Sequence, residues 1–163
     1  MSGDTDTSVS FNNGRSTIGY ATWQDLTTAF SVEAIVKTTA TGTRDIILRD
    51  SGVSGRVFQL RQNGANLEFV KISGSIVTAS QACSLNDGNW HHVVATYDGS
   101  DIRLYNNGTL LGSPTAAPGS LTGNSPIVIA NGINAGWIGQ IDEVAYYNTV
   151  LSGTRIAAHY AAL

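Results

Sequence analysis

Three glutamates sit on stretches that read as strands, and their neighbours decide what chemistry they can do. Glycoside hydrolysis needs two carboxyl groups flanking one bond, one acting as acid and the other as nucleophile or base. On a strand that means acidic residues at alternate positions, where side chains share a face. Glu33 is followed at alternate positions by Ile35 and Lys37, Glu68 by Val70 and Ile72, and Glu143 by Ala145 and Tyr147. Asp142 and Glu143 are adjacent, so in a regular strand they face opposite ways. No catalytic pair results. Nucleophilic catalysis fails on similar grounds: Cys83, the one cysteine, has no base beside it in sequence, and no G-x-S-x-G elbow occurs. Cys83 reads as a small core residue, and the expectation is a protein without catalytic residues.

Metal and sugar chemistry leave more candidates. Zinc on a strand favours two imidazoles at alternate positions, whereas His91 and His92 are adjacent and are each expected to be satisfied structural residues. His159, far along the chain, is the histidine that can join one of them. Calcium needs several oxygens from carboxylates, carbonyls and amides. Asp25, Asp50, Asp87 and Asn131 fall in loops suited to that role, although no D-x-D-x-D-G loop is present. Calcium is therefore the metal expected if the chain holds one. Sugar recognition requires an aromatic platform with amides or carboxylates beside it. Trp23, in a polar loop, and Trp137, just after the 131–136 loop, are the candidate exposed aromatics. Asn131 and Asn134 supply amides, and these four are the expected ligand-binding residues.

Strands must position all of these groups. From Trp90 to Tyr97, His91, Val93, Ala95 and Tyr97 alternate with His92, Val94 and Thr96, the period of a strand with two different faces. Asp98-Gly99 makes a turn, Ile102 and Leu104 alternate with Arg103 and Tyr105, and Asn106-Asn107-Gly108 signals a second hairpin. Phe30 to Lys37 is another clear strand, with Phe30, Val32, Ala34 and Val36 on one face. Residues 9–11, 18–20, 44–48, 56–61, 67–72, 75–78, 127–130 and 137–148 read as further strands. Between them stand turn signals at Asn12-Asn13-Gly14, Asp50-Ser51-Gly52, Asn63-Gly64 and Ser73-Gly74. Residues 113–125, rich in Pro, Gly, Ser and Thr, predict a long surface connection. Ile156, Tyr160 and Leu163 repeat at helical spacing after Ser152, a candidate N-cap. About a dozen short strands and one terminal helix predict an all-β, two-sheet antiparallel sandwich over residues 1–163, with no internal repeat or domain boundary.

Three segments, in order along the chain, resemble the laminin G-like domains of the concanavalin A-like lectin/glucanase superfamily. Phe30-Ser31-Val32-Glu33-Ala34-Ile35-Val36-Lys37 is similar to an early strand of that family, and Trp90-His91-His92 through Tyr97-Asp98-Gly99 and Leu104-Tyr105-Asn106-Asn107-Gly108 to its central hairpin. Gly139-Gln140-Ile141-Asp142-Glu143-Val144, followed by Leu151-Ser152, resembles its closing strand and helix. The resemblance implies jelly-roll topology and places Trp90 in the core. It adds Asp142 to the candidate calcium ligands, beside the reading of Asp142 as a structural acid in a turn. Arg155 stands where the family often has the Glu of a capping box. Glucanases of the superfamily share an E-x-D-x-x-E strand motif that this chain does not match. Members bind sugars, proteins and metal ions on one scaffold, so fold alone does not assign function.

Composition narrows the partners. A formal net charge of −3 with 13% charged residues offers no basic stripe, which disfavours nucleic acid. Residues 1–8 have neither a basic start nor an apolar run, and no stretch is long enough to span a bilayer. With a single cysteine, no disulfide can close within the chain. The leading expectation is a non-catalytic adhesion module for a surface glycan, extracellular or displayed on a bacteriophage virion. The alternative is a structural or decoration protein that docks to other virion subunits without binding sugar. Either leaves a homo-oligomer open.

Overall fold

Turn chemistry and alternation convert directly into an antiparallel architecture. At the Asn106–Thr109 hairpin, Asn107 and Gly108 both have positive φ, 49° and 76°, as a tight two-residue turn with the twist of its flanking strands requires. A computed structural model describes residues 8–25, 28–50, 57–72, 75–132 and 134–163. The turns predicted at Ser51-Gly52 and Ser73-Gly74, and Arg56, lie outside the described residues.

Among the described residues twelve strands form two six-stranded sheets. In chain order they are β1 (Val9–Asn12), β2 (Ser16–Ile18), β3 (Phe30–Lys37), β4 (Thr43–Arg49), β5 (Phe58–Asn63) and β6 (Asn66–Lys71). There follow β7 (Val77–Ala82), β8 (Trp90–Tyr97), β9 (Asp101–Asn106), β10 (Thr109–Ala116), β11 (Ile127–Ile129) and β12 (Ile138–Tyr147). One sheet has the order β1-β12-β3-β8-β9-β10 and the other β2-β11-β4-β5-β6-β7. Every ladder within them is antiparallel. A 3-10 turn (Thr22–Gln24) joins β2 to β3, and helix α1 (Gly153–Ala161) ends the fold.

The core lies between the sheets. Phe30, Val32, Ala34 and Val36 of β3 and Val93, Ala95 and Tyr97 of β8 meet Ile46 and Ile47 of β4, Phe58 and Leu60 of β5, and Leu67 and Phe69 of β6. Its centre is aromatic: Phe58 stacks on Phe30 and on Phe69, each at 5.3 Å between ring centroids. Such pairs add about 0.5–1.5 kcal/mol each beyond the area they bury. Cys83 belongs to this cluster, and burial pushes its thiol up to about 11. Native protein at pH 8 should therefore react with iodoacetamide far more slowly than protein in denaturant, and equal rates would contradict the buried placement.

The outer face of the first sheet is covered too. Ile156 of α1 and Leu151 pack on Val94, Tyr105 and Tyr147, burying the β3 face that bears Ser31, Glu33 and Ile35. The helix begins as expected, with Ser152 Oγ accepting the Arg155 N–H at 3.2 Å, despite the missing capping-box Glu. Its predicted apolar stripe is shorter than the spacing suggested: Ile156 is buried, whereas Tyr160 and Leu163 are exposed.

Three further expectations change. Residues 113–125 do not form one surface connection, because β10 runs to Ala116 and Ala117, Leu121 and Ser125 are buried. Pro114 is tolerated because β10 is an edge strand whose register slips between Leu111 and Thr115. The core tryptophan is Trp137, at 0% exposure, and not Trp90. Trp90, at the start of β8, is half-buried with Lys37 Nζ 5.8 Å from its ring centroid. In β12 a bulge between Asp142 and Ala145 puts Glu143 at φ 46°, breaking the alternation assumed for that strand.

Candidate binding rim

The 3-10 turn lifts one large aromatic out of the fold. Trp23 is 55% exposed, and its ring meets that of Tyr146 in a tilted contact, centroids 6.4 Å apart and planes at 59°. Gln24, next along, is buried, and Asp25 turns outward again. Beside them a cleft of about 360 Å³ is lined by Asp25, Leu121, Thr122, Gly123 and Asn124. A carboxylate and an amide thus line the cleft, and the exposed indole stands outside that lining on the 3-10 turn that leads into Asp25.

Arg49 fastens this rim. Its side chain, at the end of β4, is 1% exposed. The guanidinium donates to Gln24 O at 2.5 Å and Gly123 O at 2.8 Å, to Ser125 O at 3.3 Å, and to Asp25 Oδ1 at 3.1 Å. One buried cation therefore ties the 3-10 turn to the 121–125 segment, and charge-assisted bonds of this kind are about twice as strong as neutral ones. Tyr20 donates its hydroxyl to the other Asp25 oxygen at 2.5 Å. That bond, opposed by desolvation and reinforced by Arg49, holds the Asp25 carboxyl below the usual carboxylate range. Arg44 instead bonds Thr41 O and Gly136 O, and Arg61 pairs with Glu68 at 2.8 Å.

Of the expected sugar-binding residues, Trp23 alone lies on this rim. Asn131, Asn134 and Trp137 belong to a segment that folds back across the second sheet. Asn134 donates its N–H and its amide to the two oxygens of buried Asp45, Asn131 donates to Asn13 O, and Trp137 Nε1 donates to Gln140 O. Gly132 permits this path, since a Cβ there would stand 2.3 Å from Leu48 Cδ1. Trp137 as an exposed platform is overturned, because the fold-back carries it between the sheets.

The four carboxylates among the candidate calcium ligands are dispersed. Asp25 has its charge met by Arg49. Asp50, half-buried at the end of β4, donates its N–H to Pro126 O. Asp87 accepts from the Asn89 backbone at 2.8 Å and lies 3.0 Å from His91 Nε2; the Asn89 N–H foremost, and His91 after it, hold its carboxyl well below the usual range. Asp142 accepts from the Glu143 N–H and lines a separate cleft with Phe11, Arg15 and Ile129 between the edge strands of the two sheets. Among the described residues no three His, Cys, Asp or Glu side chains converge to hold a metal, so these four do not fit a calcium site together.

One polar cluster escaped the sequence. Glu33, 8% exposed, accepts Tyr147 Oη–H on Oε1 at 2.6 Å, while Oε2 lies 3.1 Å from His159 Nδ1 and 3.4 Å from His92 Nε2. His92 and His159 do meet, bridged by a carboxylate from a third element. The one signal available was Glu33 on a strand face otherwise free of charge until Lys37.

The comparisons agree with this architecture. A laminin G model of the concanavalin A-like lectin/glucanases superfamily matches residues 4–157, and the chain belongs to that family. No curated protein sequence matches it. Among solved structures it is similar to domain 4 of AbnA, a GH43 extracellular arabinanase from Geobacillus stearothermophilus, in complex with arabinotriose. That match has TM-score 0.80 and 18% identity over 97% of this chain and 78% of the other. It is also similar to the Ruminococcus gnavus IT-sialidase CBM40 bound to α2,3-sialyllactose, with TM-score 0.74 and 14% identity over 95% and 97%. The mouse laminin α1 LG4-5 structure matches with TM-score 0.70 and 16% identity, over 90% of this chain but 44% of the laminin fragment. At these identities the likeness is one of fold. No helix among the described residues is long and apolar enough to cross a membrane.

Proposed function

We propose that the chain is a non-catalytic glycan-binding module that takes sugar at the Trp23 rim. The observation that carries this reading is Trp23 itself, an indole 55% exposed and in tilted contact with Tyr146, two residues from a carboxylate lining a cleft. A pyranose or furanose lays its C–H face on such a platform and turns its hydroxyls to Asp25 and Asn124. The structures of similar fold bound to arabinotriose and to α2,3-sialyllactose support the class of ligand. The dispersed carboxylates support binding without hydrolysis.

The test is a glycan array probed with the wild-type chain and with Trp23→Ala. Loss of a stacking contact should weaken binding about tenfold to a hundredfold, the effect of about 1.4–2.8 kcal/mol, with a far smaller effect on the thermal midpoint because more than half of the indole is already in water. Binding that survives Trp23→Ala at full strength would place the sugar elsewhere.

A further inference from the structure

The charges at this rim limit what kind of glycan it can take. Asp25 is the only charged side chain among the described residues lining the cleft. The cation beneath it is out of reach of a ligand: Arg49 is 1% exposed, and three backbone carbonyls share its donors with Asp25. Neighbouring cations are engaged as well. Lys71 is 1% exposed and donates to Pro118 O at 3.0 Å. Arg103 is held by Asp98 at 2.5 Å and Asp101 at 3.3 Å, on the turn to which the 117–119 segment is hydrogen-bonded. An acidic sugar entering the cleft meets a carboxylate and finds no described cation to pair with. An uncharged sugar finds an acceptor for its hydroxyls. A divalent cation needs several converging oxygen ligands, and Asp25 is the one carboxylate among the described residues lining the cleft.

We infer that the Trp23 rim selects uncharged glycans over sialylated or sulfated ones and does so without a divalent cation, Arg49 serving as the fixed counter-charge of Asp25. The inference rests on the rim reading of the previous section and specifies its ligand. It also assigns Asp25→Asn a particular consequence. Removing the carboxylate leaves the Arg49 charge uncompensated beneath the cleft while its three carbonyl partners keep it in place, so discrimination against acidic glycans relaxes.

The experiment compares neutral oligosaccharides, arabinotriose among them, with α2,3-sialyllactose and sulfated glycans on one array, in calcium and in EDTA. Wild type, Trp23→Ala, Asp25→Asn and Glu143→Gln are probed. The expected result is Trp23-dependent binding confined to neutral glycans and unchanged by EDTA. Asp25→Asn should lower the neutral-to-acidic preference at least tenfold, whereas Glu143→Gln, which removes an exposed carboxylate away from the cleft, leaves it unchanged. Trp23-dependent binding of sialylated or sulfated glycans by wild type, or its loss in EDTA, overturns this inference and spares the rim. An unaltered preference in folded Asp25→Asn overturns the role given to Asp25. Absence of any Trp23-dependent binding overturns the rim reading and this inference together. The wild-type arms decide the matter even if Asp25→Asn fails to fold.

Discussion

Gly139→Ala is expected to destabilise the fold by about 3–5 kcal/mol, adding an overpacking cost to a backbone one. Gly139 lies in β12 at φ 140°, and a Cβ placed there would stand 2.1 Å from the carbonyl oxygen of Lys37 and 3.1 Å from Thr38 Cα. Both obstacles are backbone of the adjoining strand and the residue after it, so no side chain can swing away to make room. The position is also where β12 serves two neighbours, since Gly139 pairs with Phe11 of β1 and Gln140 with Lys37 of β3. Urea unfolding checks this directly: the midpoint should fall sharply with little change in slope, and a loss under 1 kcal/mol would mean that the strands separate easily.

The second large effect concerns Glu33 and pH. Burial alone would raise its carboxyl, but hydrogen bonds from His92, Tyr147 and His159 overcome that and hold it at about 2, against 4.5 for an ordinary glutamate. A carboxyl lowered on folding contributes stability that is fully present above the unfolded value and is lost as pH falls through the folded one. The native state should therefore lose about 3 kcal/mol between pH 4.5 and pH 2 through this residue. Glu33→Ala should cost about 3–5 kcal/mol at neutral pH, because it strands three polar partners under α1. Glu33→Gln should flatten the acid limb. Urea midpoints at several pH values in wild type and Glu33→Gln measure both, and an equally steep acid limb in the variant would place the acid sensitivity elsewhere.

Local signals made the scaffold legible. Alternation marked β3 and β8 almost to the residue, Asn107-Gly108 fixed a hairpin, and Ser152 marked the start of α1. What escaped was set by segments meeting at long range. Whether Trp90 or Trp137 lies in the core depends on where Gly132, Asn134 and Gly136 meet the second sheet, and no composition rule states that. Glu33 looked like one polar residue on an outer face until α1, more than a hundred residues later, covered it. Nothing local marks Arg49 for burial, because the carbonyls that surround it belong to segments far apart in the chain. Of the candidate site, Trp23 and Asp25 were visible by type and loop position, Asp25 as a metal ligand. The 121–124 wall of the cleft was hidden in a stretch that reads only as Pro- and Gly-rich.

The pairing of β1 with β12 and of β2 with β11 sets a timetable for the growing chain. β1 and β2 leave the ribosome more than a hundred residues ahead of their partners, so both sheets stay open at that side until β11 and β12 are made, a wait on the order of ten seconds at common elongation rates. Meanwhile β3 has β8 and β9 as early company, and β4 to β7 pair in sequence. The hairpins in the middle of the chain can thus form first, and the nascent protein completes its edges only as β11 and β12 arrive.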